Sequence, residues 1–181
     1  MGADMLVNLS DVLTTEGKNE TREISLEMAT FSNGTDTYRI KEKTPMRFTF
    51  TNVGEGKAQI KGGGSLVFEA VCDRCLTEVD LPMELVFDRI VLSPEAFAED
   101  DEAEDDDQVF MDGYQLDVEA FVHDEIIVNW PVKILCKEDC KGVCPVCGQN
   151  LNERECGCDT FVPDPRMAAI NDIFNSNFQG E

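Results

Sequence analysis

Alternation of apolar and polar positions dominates the first half of the chain. Ile24, Leu26, Met28 and Thr30 alternate with Glu23, Ser25, Glu27 and Ala29, which predicts a half-buried strand ending near Asn33-Gly34. The period-two pattern returns from Tyr38 to Val53, where Arg47-Phe-Thr-Phe-Thr-Asn-Val53 is rich in strand formers and Pro45 predicts a break or kink. Gly54-Glu-Gly56 reads as a turn. Lys57–Ile60 and Leu66–Val71 then continue as strands on either side of Gly62-Gly63-Gly64, where a bulge or sharp bend is expected. Leu85 and Phe87 alternate with Val86 and Asp88 in a further strand over 84–92, closed by Pro94. Leu6, Val7, Leu9, Val12 and Leu13 fit neither period strictly and are read as a strand, followed by a polar loop over 14–22.

A different period appears after residue 117. Val118, Phe121, Val122 and Ile126 recur at helical spacing behind Asp117, a good N-cap, and Trp130-Pro131 terminates the helix because proline disfavours helical geometry at the residue before it. Asp164-Pro165-Arg166 predicts a second helix start, with Met167, Ile170, Ile173 and Phe174 as its apolar stripe. The expected architecture is α+β: an antiparallel β-rich, barrel-like body with a central helix, a small cysteine-built lobe and a C-terminal helix. Residues 1–135 form the body and 136–181 the lobe and final helix.

Charge adds to this picture. Lys+Arg 15 against Asp+Glu 37 gives a net charge of -22. Nucleic-acid binding is driven by cations displacing counterions, so most of such a surface is repelled by nucleic acid and a basic partner is the simpler expectation. Residues 95–107 carry nine carboxylates and no cation. The stretch near 95–108 is therefore expected to be a disordered acidic loop, and a potential bait for a basic protein. Residues 39–61 are the exception, with six cations against two carboxylates. Arg39, Lys41, Lys43 and Arg47 occupy odd positions, so an unbroken strand would place them on one face as a candidate RNA-contacting stripe; the alternative is a solvated sheet face or a lysine-guarded edge.

No apolar run approaches the roughly 20 residues of a membrane helix, and the first residues lack the pattern of a signal peptide. A cytoplasmic protein is expected. Sequons at Asn8, Asn19 and Asn33, with eight cysteines, would also suit a secreted disulfide protein, but that reading lacks an export signal.

The cysteines are the main chemical signal. Six of the eight fall between Cys136 and Cys158, and the others form Cys72-Asp-Arg-Cys75. A two-residue gap lets one tight turn aim two sulfurs at a single point, as tetrahedral zinc requires. Cys144-Pro-Val-Cys147-Gly148 has the residue types of a zinc knuckle and pairs with Cys156-Gly-Cys158 across a short hairpin; by elimination Cys72 and Cys75 join Cys136 and Cys140. An exchanged pairing is the alternative. Two zinc ions held by eight thiolates would take the net charge to about -26. Four protein ligands leave no open coordination position, so such sites are structural. Iron-sulfur clusters and thiol redox chemistry use similar ligands, although neither Cys-x-x-Cys pair has the βαβ context of a thioredoxin site. His123, the one histidine, stands beside Asp124 and Glu125 and reads as a surface residue. No catalytic constellation is visible, and a non-enzymatic protein is expected.

From about residue 5 to the end the chain resembles the bacterial YceD family of large ribosomal RNA subunit accumulation proteins. The resemblance rests on Cys72-Asp-Arg-Cys75, on the segment from Asp117 to Pro131 with Asp124-Glu-Ile-Ile-Val128, on Cys140-Lys-Gly-Val-Cys144-Pro-Val-Cys147-Gly-Gln-Asn-Leu-Asn152, on Cys156-Gly-Cys158 and on Asp164-Pro-Arg166. It implies a ribosome-biogenesis factor that supports 23S rRNA accumulation and large-subunit assembly. Its partners would be large-subunit ribosomal proteins, among them the small basic protein L32, or rRNA itself. Some relatives keep the first cysteine quartet without the second, which agrees with two separable sites. The rival class is a zinc-thiolate redox sensor or thiol oxidoreductase.

Overall fold

The computed structural model of the protein describes residues 5–99 and 108–158. Among the described residues the secondary structure is mostly antiparallel strand with three short helices, an α+β arrangement. In chain order the elements are β1 (Leu6–Asn8), α1 (Ser10–Thr14), β2 (Asn19–Ile24), β3 (Thr30–Ser32), β4 (Thr37–Lys43), β5 (Met46–Gly54), β6 (Lys57–Val71), β7 (Glu78–Leu92), α2 (Pro94–Glu99), β8 (Met111–Asp112), β9 (Gln115–Asp117) and α3 (Val118–Asn129). The described residues fall into two compact units. One comprises the described residues up to Val71 with those of Glu78–Ile134, the other Cys72–Thr77 with the described residues from Leu135 onward.

In the first unit β6 is the organising strand. β7 pairs with it in antiparallel register from Lys57↔Leu92 to Val71↔Glu78 without a shift. The opposite edge of β6 is shared: β5 pairs with Lys57–Gly63 and β4 with Leu66–Glu69. β4 and β5 thus run in line, broken at Thr44-Pro45, where Thr44 exchanges hydrogen bonds with Ser65 instead of a regular ladder. The handover falls at Gly62-Gly63-Gly64. A Cβ at Gly62 would lie 1.8 Å from the Arg47 carbonyl oxygen and one at Gly63 2.2 Å from that of Leu85. Only glycine permits the backbones to approach so closely. β2 and β3 complete the order β2-β5-β6-β4-β3. A smaller sheet has the order β1-β9-β8. Among the described residues no pairing closes either sheet, so the body is open and not a barrel.

The inner face of the large sheet presents Phe48, Phe50, Ile60, Leu66, Phe68, Leu85 and Phe87, all buried with Phe121, Val122 and Ile126 of α3. Phe121 packs edge-on to Phe87 and Phe110 at 5.1 and 5.0 Å. The Asp117 carboxylate caps α3 by accepting from the Ala120 amide at 3.0 Å. Glu125 is the charged residue that the helix turns inward, and Arg89 of β7 holds it at 2.6 Å. Removing one partner of a buried ion pair costs about 3–5 kcal/mol. The Arg89 side chain is 48% exposed, so solvent screens part of this. Arg89→Met is expected to lower stability by about 1–2 kcal/mol in urea unfolding, and adding Glu125→Gln should recover most of the loss.

Several expected elements shift. The alternation over 24–28 is present as burial, since Ile24 and Leu26 are buried, but the ladder lies elsewhere: β2 begins within the expected loop at Asn19 and ends at Ile24, where the expected strand was to start, and β3 begins at Thr30. The Glu119 carboxylate accepts from both the Glu27 and Met28 amides at 2.7 Å and replaces the missing strand partner. The opening segment is strand only to Asn8. The Asn8 side chain then accepts from the Ser10 amide, and the chain coils into α1. β7 starts at Glu78, earlier than the pattern indicated, because edge position tolerates Pro82. The beginning of the acidic stretch is helical: α2 covers Pro94–Glu99, and the Tyr114 hydroxyl donates to Glu95 at 2.8 Å, holding that carboxyl below its usual range. Residues 100–107 and the helix expected after Asp164 lie outside the described residues.

Candidate metal centres

The β6–β7 hairpin is closed by Cys72–Thr77, where the Leu76 amide donates to the Cys72 carbonyl and the Cys72 amide to the Thr77 carbonyl, each at 2.9 Å. This turn aims Cys72 and Cys75 at Cys136 and Cys140, and the four sulfurs lie within 4.8 Å of one another. Cys144, Cys147, Cys156 and Cys158 form a second set that meets the same limit. These are the two groupings expected from spacing. All eight cysteines are free of disulfides.

The donor chemistry fits a metal ion. An ion bonded tetrahedrally to four sulfurs at about 2.3 Å separates neighbouring sulfurs by about 3.8 Å. Cys72 and Cys140 are 3.8 Å apart and Cys75 and Cys136 3.4 Å, close to that edge and far from a disulfide. The surroundings of the set are consistent with this. Among the described residues of the second unit, the buried ones are Cys72, Cys75, Cys140, Cys144 and Gly142. These described residues contain no apolar core, so the ligands occupy the position that a core would take. Both tetrads can hold metal ions.

Local backbone geometry builds each site. Gly142, with φ +78, brings the chain against the first turn: the Val143 amide donates to the Arg74 carbonyl at 3.0 Å, and Arg74 Nη1 donates to the Cys140 carbonyl at 3.0 Å. Gly148, at φ +72, closes the knuckle by donating its amide to the Cys144 carbonyl at 2.9 Å, and the Val146 amide donates to Cys144 Sγ at 3.4 Å. Cys144 donates its amide to the Gln149 carbonyl, and Val143 bridges to Asn150, giving the short hairpin before Cys156.

Electrostatics explains why a cation belongs at each point. Burial disfavours the Cys72 thiolate, but the backbone amides of Cys75, Arg74 and Cys136 outweigh it and bring this thiol down to about 6. The amides of Cys147 and Val146 bring Cys144 down to about 7. Opposite effects act on the last ligands to ionise. Cys75 and then burial push Cys136 up to about 12, while Cys147 and Cys156 push Cys158 up to about 12. Four thiolates at one point repel one another, and a shared cation removes that penalty with release of the remaining protons.

Asn152 is a functional residue that cysteine spacing does not reveal. It lies in the hairpin of the second tetrad, yet its Nδ2 donates to Cys140 Sγ of the first at 3.2 Å, while its Oδ1 accepts from the Lys141 amide at 2.9 Å. Donors to ligand sulfur commonly tune affinity by about 10- to 100-fold. Asn152→Ala is expected to weaken metal at the Cys72/Cys75/Cys136/Cys140 site by about tenfold or more. Competition between the chelator and cobalt(II), followed by thiolate-to-metal charge-transfer absorption, checks this.

The cationic stripe is largely engaged. Arg39 pairs with Glu69 at 3.8 Å, Lys41 with Asp80 at 2.7 Å, Arg47 with Glu23 at 3.1 Å and Lys61 with Asp88 at 3.3 Å. A β-bulge between Ile40 and Glu42 resets the parity of β4, putting Lys43 opposite the buried Leu66, and its ammonium donates to the Met28 carbonyl. His123 lies on α3 beside Phe31, with a ring nitrogen 3.0 Å from the Ser32 carbonyl oxygen, and belongs to neither tetrad.

Comparison with known proteins is consistent with this geometry. The sequence model for "Large ribosomal RNA subunit accumulation protein YceD" matches residues 60–174, a span that contains both tetrads. A chloroplastic large ribosomal RNA subunit accumulation protein YCED homolog 1 of Arabidopsis thaliana is 29% identical over 33% of this chain and 18% of its own length. The uncharacterized protein YlbN of Bacillus subtilis is 27% identical over 59% of this chain and 60% of its own. An uncharacterized protein of Mycobacterium tuberculosis is 29% identical over 55% of this chain and 47% of its own. The chain thus spans less than two thirds of the length of each of these relatives. No solved structure matches it. No helix among the described residues is long and apolar enough to cross a membrane.

Proposed function

The chain belongs to the YceD family of large ribosomal RNA subunit accumulation proteins, and from that premise we propose that it is a non-enzymatic, zinc-organised factor that binds a basic large-subunit ribosomal protein during assembly. The observation that carries the choice of partner is the disposition of charge. The chain has a net charge of -22, and the residues that could have offered phosphate a cationic face, Arg39, Lys41, Arg47 and Lys61, are already held by carboxylates. An anionic partner has to break these pairs, whereas a cationic partner meets the remaining carboxylates directly. Zinc suits all-cysteine, four-coordinate sites without an open position, and each ion would serve to hold the backbone of the second unit together. Neither Cys-x-x-Cys pair opens a helix: Cys72 and Cys75 sit in a hairpin turn and Cys144 and Cys147 in a tight knuckle, which favours structural over thioredoxin-type use.

Cellular crosslinking followed by identification of both protein and RNA partners tests the reading. A basic large-subunit protein should be recovered, and replacing the carboxylates of residues 95–107 by amides should reduce its recovery. Failure to capture any basic ribosomal protein would overturn the partner assignment. A second reading, direct rRNA contact, is supported by the exposure of Arg39 and Arg47, whose side chains are 74% and 70% accessible on the sheet. Charge reversal at Arg39, Lys41 and Lys43 that leaves rRNA crosslinking intact would remove that reading for the sheet.

A further inference from the structure

Among the described residues β7 pairs with β6 along one edge, and no strand covers the other. Long free edges are normally blunted with lysines, bulges or short length. β7 is 15 residues long, has no lysine, and runs against β6 without a register shift. Pro82 alone interrupts its donors, which leaves Met83–Val91 as a continuous edge. The solvent face of this stretch alternates Glu84, Val86, Asp88 and Ile90, and Val86 and Ile90 are 75% and 60% exposed. Two uncovered apolar side chains framed by carboxylates match the side-chain requirements for strand addition, in which main-chain hydrogen bonds give affinity and alternate side chains give specificity.

Charge selects the occupant. A second copy would bring another net charge of -22 to the same edge and set carboxylates of β7 near their own symmetry mates, which disfavours self-pairing. An extended segment that alternates lysine or arginine with apolar residues would place a cation against Glu84 and apolar groups against Val86 and Ile90, while Asp88 is already held by Lys61 at 3.3 Å and Gln59 at 2.7 Å. We propose that Met83–Val91 of β7 is a strand-addition site for such a cationic, extended segment of the protein partner. This deepens, and rests on, the basic-partner reading above.

The test uses the full chain and an octapeptide of alternating lysine and valine as probe, with binding read by fluorescence anisotropy and backbone amide exchange. The peptide should bind and protect amides within 83–91. Val86→Lys with Ile90→Lys should weaken binding by about tenfold or more, as should N-methylation of the peptide throughout, which keeps its charge and removes its donors. Both side chains are exposed, so the variant should fold as the parent does, verified by its urea midpoint. Binding that survives both changes is charge attraction without a shared ladder and overturns the proposal, as does protection of the outward amides before peptide is added. If the double variant still captures the basic ribosomal protein, the edge is not its site while the partner reading stands. If the parent binds the peptide at the edge but captures no ribosomal protein, the partner reading alone fails.

Discussion

Removing metal under reducing conditions is expected to unfold Cys72–Thr77 and residues 135–158 while the large sheet keeps its protection. A structural zinc site supplies about 10–16 kcal/mol, whereas a whole domain is stable by about 5–15 kcal/mol. Among the described residues of this unit nothing substitutes for it, because their buried positions are four of the cysteines and Gly142. The first unit is different: Phe48, Phe50, Ile60, Phe68, Phe87 and Phe121 form an apolar core that needs no ion. Hydrogen exchange with and without chelator should therefore divide along these lines, and elemental analysis of the untreated protein should find two metal ions per chain. Uniform exchange in both states, or metal-free protein with residues 135–158 fully protected, would contradict the assignment. All eight thiols should resist alkylation while metal is bound and react once it is removed. Strong reactivity of the loaded protein would instead favour the redox alternative.

The second large effect is expected at the glycine run of β6. Gly62→Ala places a methyl group 1.8 Å from the Arg47 carbonyl oxygen and 3.0 Å from the Phe87 ring, and Gly63→Ala places one 2.2 Å from the Leu85 carbonyl oxygen. The obstructing oxygens belong to paired backbones and cannot rotate away as a side chain would. Each substitution should cost about 3 kcal/mol or more, measured from the urea midpoint at constant m-value. Gly113→Ala provides the comparison. Its φ of +60 makes alanine strained, but no atom lies within 4 Å of the added carbon, so its cost should be nearer about 1 kcal/mol. A Gly62→Ala protein as stable as the Gly113→Ala one would show that β6 and β5 can separate at the handover without penalty.

The local signals in the chain were informative where one side chain meets one backbone. Asp117 caps α3, Pro45 separates β4 from β5, Gly54-Glu-Gly56 turns, and Gly148 closes the knuckle. Each depends on geometry within a few residues. The signals failed where a distant group altered the local outcome. Ile24, Leu26 and Met28 have the period of a strand, but Glu119, more than ninety residues away, satisfies the backbone that a neighbouring strand would have paired. Arg39, Lys41 and Lys43 have the spacing of a common face, but a single bulge turns Lys43 toward the Met28 carbonyl.

Legible from the chain alone were the cysteine pairs, the central helix, the antiparallel class and the anionic character. These follow from ligand spacing, residue period and charge, none of which depends on a distant partner. Only the folded chain shows that Cys72 and Cys75 meet Cys136 and Cys140, that Arg39, Lys41 and Arg47 of the stripe pair with carboxylates while Lys43 donates to a carbonyl, that Asn152 of one tetrad's hairpin donates to a ligand of the other, and that among the described residues no strand covers the outer edge of β7. The physical reason is the same in each case. Strand pairing and ion pairing join groups through contacts whose register is set by the folded sheet, and a one-residue bulge is enough to change which groups meet.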